Sequence, residues 1–253
     1  MRRSATGRIL FWRGGSLWVG LPGEPAGMHS HHAVQISLPF PPGRVRFQHR
    51  AGRWSSYPAT IVAAHEPHAF EARGQLVGMI FVDPESRQGR RLQQRHRNQG
   101  IAALRTATIT QGVSDLAAAF RTRASDAALI ECARAIVDTL AGEVSEIADV
   151  TDERIARALQ LVRERAGDSI PLGTIASAVN LSPDRFRHLF VAETGVTFRA
   201  YVLWLRLEQS LAAYVSGQSL TEAAFIGGFA DSAHFSRTFR RMFGLAPASV
   251  RPE

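Results

Sequence analysis

Between Ile175 and Gly244 the chain carries one short pattern twice, in register, and this duplication restricts the fold more than any other feature. The first copy runs from Ile175 through Asn180, Pro183 and Phe186 to Phe190 and closes on Gly195. The second runs from Ala223 through Gly228, Asp231 and Phe235 to Phe239 and closes on Gly244. Ala176 and Ala224 stand 48 residues apart, as do Asn180 and Gly228. Past the turn the offset is 49, pairing Phe186 with Phe235, Phe190 with Phe239 and Gly195 with Gly244, so the second turn holds one extra residue.

Each copy has the parts of a helix-turn-helix. A small Ala in the first helix lets a second helix approach. Four residues on, Asn or Gly suits the left-handed conformation that ends a helix sharply. Ser182 or Asp231 then offers an oxygen to cap the next helix, and Pro183 sits where a missing N–H costs least. Phe186 with Phe190, and Phe235 with Phe239, are four apart and share a buried face. The outer face carries Asp184, Arg187 and His188 in one copy and Ser232, His234 and Arg237 in the other. A helix presented in this way is the element that enters a DNA major groove. A plain helical bundle is the competing reading; two copies with polar outer faces favour DNA.

The run from Phe190 to Tyr201, Arg206-Leu207, Gly228-Phe229-Ala230-Asp231, His234 to Arg241 and Phe243-Gly244-Leu245-Ala246-Pro247 resembles the AraC/XylS family of bacterial transcription regulators. The resemblance covers the chain from near Asp152 onward. It implies two helix-turn-helix units, with recognition helices near 183–193 and 232–243, joined by a long helix near 197–216. Tyr201, Leu205, Glu208 and Ala212 independently show helical spacing there, and Ser219-Leu220-Thr221-Glu222 fits a capping box opening the second unit. The resemblance also implies base contacts by Asp184, Arg187, His188, Ser232, His234 and Arg237, and phosphate contacts by Ser182, Arg185, Arg240 and Arg241. Asn180 replaces the more usual Gly, and Phe225 and Gly227 replace the usual packing around Ala224, which predicts a less regular second unit.

The formal charge of +8 suits a polyanionic partner, but residues 151–253 hold 12 Arg against 10 acidic residues, so the motifs and not bulk charge carry the DNA reading. The run Arg87 to Arg97 holds five Arg and no acid and reads as solvated surface. No apolar run is long enough to span a bilayer, and Met1-Arg2-Arg3 lacks a following apolar stretch, so no membrane partner and a cytoplasmic location are expected. Cys132, the single cysteine, falls among Leu129, Ala133, Ile136, Val137 and Leu140 at helical spacing and reads as a small buried hydrophobe.

Residues 1 to about 82 read as strands. Ile9–Trp12, Val34–Leu38, Thr60–Ala64 and Leu76–Val82 are apolar runs broken by Gly and Pro, and Asp83-Pro84 ends them. Helices follow near 114–122 and 126–141, then a polar linker at 143–150 and a helix at 152–166. The fold class is therefore an α+β two-domain chain. Residues 1–142 form an antiparallel barrel or sandwich with a helical extension, and residues 151–253 form an all-α DNA-binding domain.

Six of the nine histidines lie between His29 and His68. His29-Ser30-His31 with Gln35, and the later His68, resemble the two motifs of cupin barrels, in which such residues converge inside the barrel; Gln35 stands where cupins place Glu. The resemblance implies a cupin-like sensor with His29, His31, Gln35 and His68 in an effector pocket, and leaves open a divalent metal on His29, His31 and His68. No other cofactor is expected. The preferred reading is thus a one-component regulator binding double-stranded promoter DNA and a small-molecule effector. It is expected as a homodimer, meeting RNA polymerase if it activates. The 129–140 stretch would either cover the barrel or pair with a second chain. The alternative, a cupin-type metalloenzyme for oxidation or isomerisation, leaves the duplication unexplained and lacks an acidic fourth ligand. A third reading, a nucleoid-type binder, predicts weak sequence preference.

Overall fold

The computed structural model describes residues 5–50, 52–96, 99–142, 152–165, 167 and 170–252. It has an N-terminal sheet region and a C-terminal helical region. The chain divides into two compact units, one of residues Met1–Val144 with Phe239–Glu253 and one of Ser145–Thr238. The expected linker at 143–150 lies outside the described residues.

In the first unit, nine strands come in succession: β1 (Ala5–Trp12), β2 (Gly15–Leu21), β3 (Ala26–His29), β4 (Val34–Pro39), β5 (Val45–His49), β6 (Trp54–Tyr57), β7 (Thr60–Val62), β8 (His68–Glu71) and β9 (Val77–Val82). Then follow α1 (Arg87–Arg95), β10 (Ile101–Ala103), α2 (Thr110–Arg121) and α3 (Asp126–Ala141), while β11 (Val250–Pro252) returns from the far end of the chain. Among the described residues the strands make two sheets, ordered β10-β7-β4-β9-β2-β1-β11 and β3-β8-β5-β6. Neighbours are antiparallel except β1 with β11, which pair in parallel.

The larger sheet is buried on both faces along β2 and β4, and in β4 the apolar Val34, Ile36 and Leu38 alternate with the buried polar Gln35 and Ser37. Leu17, Val19, Ile36, Leu38, Ile80 and Val82 join a core with Leu92 of α1, Leu116 of α2 and Leu129, Ala133, Ile136 and Val137 of α3. A second cluster around Val45, Phe47, Phe70 and Val77 fills the smaller sheet's inner side. The apolar stripe of α3 therefore covers the sheet, and this answers the choice between covering and pairing with a second chain. Cys132 is only half-buried at the margin of that core.

Two expectations need correction here. Asp83-Pro84 does not end the sheet: β10 adds a further strand beside β7, and three short residues gave too little periodicity to be seen. The arginine-rich run, read as solvated surface, keeps Arg87 and Arg95 exposed but half-buries Arg90 and Arg91. Arg87–Arg95 form α1, capped by Ser86 at Gly89 N and anchored by the fully buried Leu92, while Gln88 donates to Asp138 of α3. Arg97 lies outside the described residues.

The second unit holds α4 (Glu153–Glu164), α5 (Leu172–Ala178), α6 (Pro183–Thr194), α7 (Phe198–Val215), α8 (Leu220–Ile226) and the start of α9 (Ser232–Phe243). The two turns close identically. Asn180 N donates to Ser177 O and Leu181 N to Ala176 O, at 3.1 and 2.9 Å; Gly228 N donates to Phe225 O and Phe229 N to Ala224 O, both at 2.9 Å. These are the paired bonds of a Schellman closure, and they require the left-handed φ of 57° at Asn180 and 72° at Gly228. Ser182 then caps α6 through Arg185 N, and Asp231 caps α9 through His234 N. Ser219 and Glu222 make the expected capping box.

The second turn is therefore as regular as the first, against the expectation from Phe225 and Gly227. Phe225 points outward, 63% exposed. Gly227 is the point at which α8 meets α7: a Cβ there would lie 2.0 Å from Ser210 Oγ and 2.4 Å from Arg206 O. Around α6, Phe186, Phe190, Phe198 and Tyr201 form a knot of rings with centroids 5.4–5.6 Å apart.

Gly227→Ala should thus cost about 1–3 kcal/mol of stability through overpacking, read as an earlier urea midpoint of the helical signal. Asn180→Gly, which only relaxes a left-handed residue, should leave the midpoint unchanged or raise it. An unaffected Gly227→Ala variant would show that α7 and α8 are not held at van der Waals distance.

Candidate functional site

Two surfaces and one interior group collect the residues singled out from sequence. On α6, Asp184, Arg185, Arg187 and His188 are all exposed, and Ser182 is exposed while serving as the cap. Asp184 and Arg187, one turn apart, are joined to each other by an ion pair. Such an exposed pair is worth about 0–1 kcal/mol, little enough to be exchanged for another partner. On α9, His234, Arg237, Arg240 and Arg241 are exposed and Ser232 is half-buried. The His234 ring stands edge-on to Phe229 at 5.1 Å, which steadies the ring beside the cap. Phe235 packs on Phe229. The buried face of α9 does not stay in one core, however: Phe239 and Phe243 belong to the first unit, where both rings meet Trp18 of β2, at 6.3 and 4.8 Å.

In the first unit His29, His31 and His68 converge. One nitrogen from each lies within 4.8 Å of the others, and all three side chains are buried. The sheet pairing explains part of this: His29 on β3 and His68 on β8 are directly opposed partners. His31 lies just beyond β3 and not on it, so strand alternation is not what aims it inward. Its ring is steered instead by Nδ1, which donates to Ala33 O at 2.9 Å. Similarly, His29 Nδ1 donates to Gly27 O at 2.6 Å and His68 Nδ1 to Glu66 O at 2.8 Å.

Since carbonyls only accept, these bonds place the proton on all three Nδ1 atoms and make each Nε2 an acceptor. Burial keeps the rings neutral. It pushes His31 down to about 3, with His29 adding repulsion, and lowers His68 well below and His29 below the usual imidazole value. The Gln35 side-chain amide stands 2.9 Å from His31 Nε2, 3.2 Å from His68 Nε2 and 2.9 Å from Ser37 Oγ. Two lone pairs need donors, so the donor count directs the Gln35 NH2 at the imidazoles and its oxygen at the Ser37 hydroxyl.

A backbone carbonyl on one ring nitrogen and a free lone pair on the other is the arrangement that orients a metal-binding histidine. Neutral imidazoles suit zinc, copper, nickel and iron. The donor set thus fits the divalent ion that the barrel motif implies, with Gln35 beside it. His32 does not join the group: its Nε2 donates to Glu85 at 2.5 Å and its Nδ1 meets His65 Nε2 at 3.1 Å.

A cavity in the same unit reaches His29 and Gln35 and is otherwise walled mainly by apolar side chains, including Trp18, Val77, Met79, Phe81, Phe243 and Leu245. Ser37, which orients Gln35, was legible in principle, being two residues along the same strand face. Phe243 and Leu245 were not, because no local pattern marks residues that reach a site about two hundred positions upstream.

Residues 175–253 match a family model described as a helix-turn-helix domain. The transcriptional activator NphR of a Rhodococcus species is 29% identical over 79% of this chain and 53% of its own length. The transcriptional activator RhaS of Escherichia fergusonii is 34% identical over 40% of this chain and 37% of its own. The chain thus spans about half or less of these curated relatives. Among solved structures, ToxT of Vibrio cholerae O395 superposes over 94% of this chain and 96% of its own with a TM-score of 0.58 at 13% identity, a likeness of fold. No helix among the described residues is long and apolar enough to cross a membrane. Through residues 175–253, with the twice-closed turn and its capped helices, the chain carries a helix-turn-helix domain similar to those of these transcriptional activators.

Proposed function

We propose that the chain is a one-component transcription regulator, working in the cytoplasm, that reads promoter DNA with α6 and α9 and senses a small molecule in the N-terminal unit. The observation that carries this reading is the pair of identically closed turns, each presenting a capped helix with a polar, exposed outer face. In this reading α5–α6 and α8–α9 are helix-turn-helix units with α7 between them, residues 1–142 are a cupin-like sensor, and residues 151–253 bind DNA. One chain therefore contacts two consecutive major grooves, about 34 Å or 10 base pairs apart. A homodimer and, for an activator, contact with RNA polymerase complete the proposal.

Asp184, Arg187 and His188 read bases in one groove and Ser232, His234 and Arg237 in the other; Ser182, Arg185, Arg240 and Arg241 hold phosphates. Bidentate Arg–guanine pairs discriminate by roughly 1–3 kcal/mol, whereas phosphate contacts set affinity and salt dependence. Arg187→Ala should relax preference at one or two base pairs in one half of the site and Arg237→Ala in the other. Arg240→Ala should weaken binding to all sequences alike. Selection from a random DNA pool with each variant checks this; the same uniform loss for Arg187→Ala and Arg240→Ala would refute the division of roles.

In the sensor, His29, His31 and His68 would hold a divalent ion with Gln35 alongside, and the ion would supply a Lewis-acidic anchor for a ligand. The cavity beside it is lined by Phe243 and Leu245, which continue from α9, so a ligand bound there meets the end of a reading helix. Effector binding would then shift the population of arrangements that α9 adopts. Zinc at a hundredfold excess over its dissociation constant should stabilise the protein by about 2.7 kcal/mol. The shift should appear as a higher melting temperature and vanish in His29→Ala. An equal zinc shift in both proteins would place the ion elsewhere.

A further inference from the structure

The group formed by His29, His31, His68 and Gln35 contains no negative charge. An imidazole brings no negative charge, Gln35 is an amide where a carboxylate would supply charge, and among the described residues no acidic side chain joins the cluster. A divalent ion there would keep its full charge beside Trp18, Phe70 and Phe81, in surroundings that solvate charge poorly. Two charged side chains line the adjoining cavity, Arg8 and Glu24. Arg8 is engaged by Asp126 and Ala124 O, and Glu24 is the acidic side chain of the cavity wall. The remaining walls near His29 and Gln35 are aromatic and aliphatic, and would bury a hydrocarbon body at roughly 0.8 kcal/mol per methylene.

Resting on the metal reading above, we infer that the effector is an amphipathic organic monoanion: its carboxylate completes the coordination and charge of the ion, and its apolar body fills the cavity. Gln35 is then a specificity residue, because a neutral amide keeps the site's affinity for an external anion, whereas a carboxylate would satisfy the ion internally.

The test uses the full chain and cobalt(II), whose visible ligand-field absorption reports both occupancy and a change of ligands. Cobalt binding that is lost in His29→Ala supports the metal reading; no cobalt binding overturns that reading and this inference together. With cobalt bound, octanoate should shift the spectrum and bind more than about a hundredfold tighter than acetate, which has the charge without the body. Octan-1-ol, which has the body without the charge, should not shift the spectrum. Gln35→Glu should bind cobalt at least as tightly and lose octanoate affinity by about tenfold or more, the effect of one added adjacent charge. Cobalt binding with octanoate no better than acetate or octanol would overturn the anion inference while the metal reading stands. Octanoate binding only after Glu24→Gln would do the same, and would assign the counter-charge to Glu24.

Discussion

The helical part of this protein depends on one backbone constraint, met twice: a residue held left-handed so that its own N–H and the next one can bond back into the helix just ended. At Asn180 and Gly228 this reversal sends the chain out of α5 and α8 at a fixed angle. The rest follows from that angle. Ser182 and Asp231 arrive where they can cap the next helix. Ala176 and Ala224, both fully buried, let that helix come close. Phe186 and Phe235 turn inward, and the polar residues between them are left facing out. A side chain that cannot tolerate positive φ at either position would unseat the whole outer face, although it touches none of it.

Local rules of this kind explain why α6, α7, α8 and α9 were legible in the sequence to within a residue or so. Caps, left-handed turns and i,i+4 aromatic pairs act over six residues or fewer. The same rules failed where geometry is set from a distance. The strand β10 is too short to show a period and exists because β7 offers it an edge. The helix α1 was missed because its one buried large side chain, Leu92, is hidden among polar neighbours. Gly227 looked like an irregularity of α8, and its reason lies in α7, seventeen residues earlier, at Ser210.

The histidine centre lies between these cases. Its members were legible by spacing, but spacing does not make them converge. What does is the hydrogen bond from each Nδ1 to a carbonyl two residues away, which turns three lone pairs toward one point, together with the cross-strand pairing of His29 and His68. Three buried, uncharged rings facing each other are costly to leave without donors. The Gln35 amide, itself bonded to Ser37, stands within hydrogen-bond distance of two of them, His31 and His68.

The central claim is that one chain reads two successive grooves of DNA with two different helix faces. Hydroxyl-radical footprinting of the full-length protein on a selected binding site, at concentrations giving one chain per DNA molecule, tests it most directly. The account predicts two protected patches on one face of the duplex, about 10 base pairs apart centre to centre, unlike each other in extent and not related by a two-fold axis. A single patch per bound chain, or two patches that appear only when a second chain binds, would contradict it.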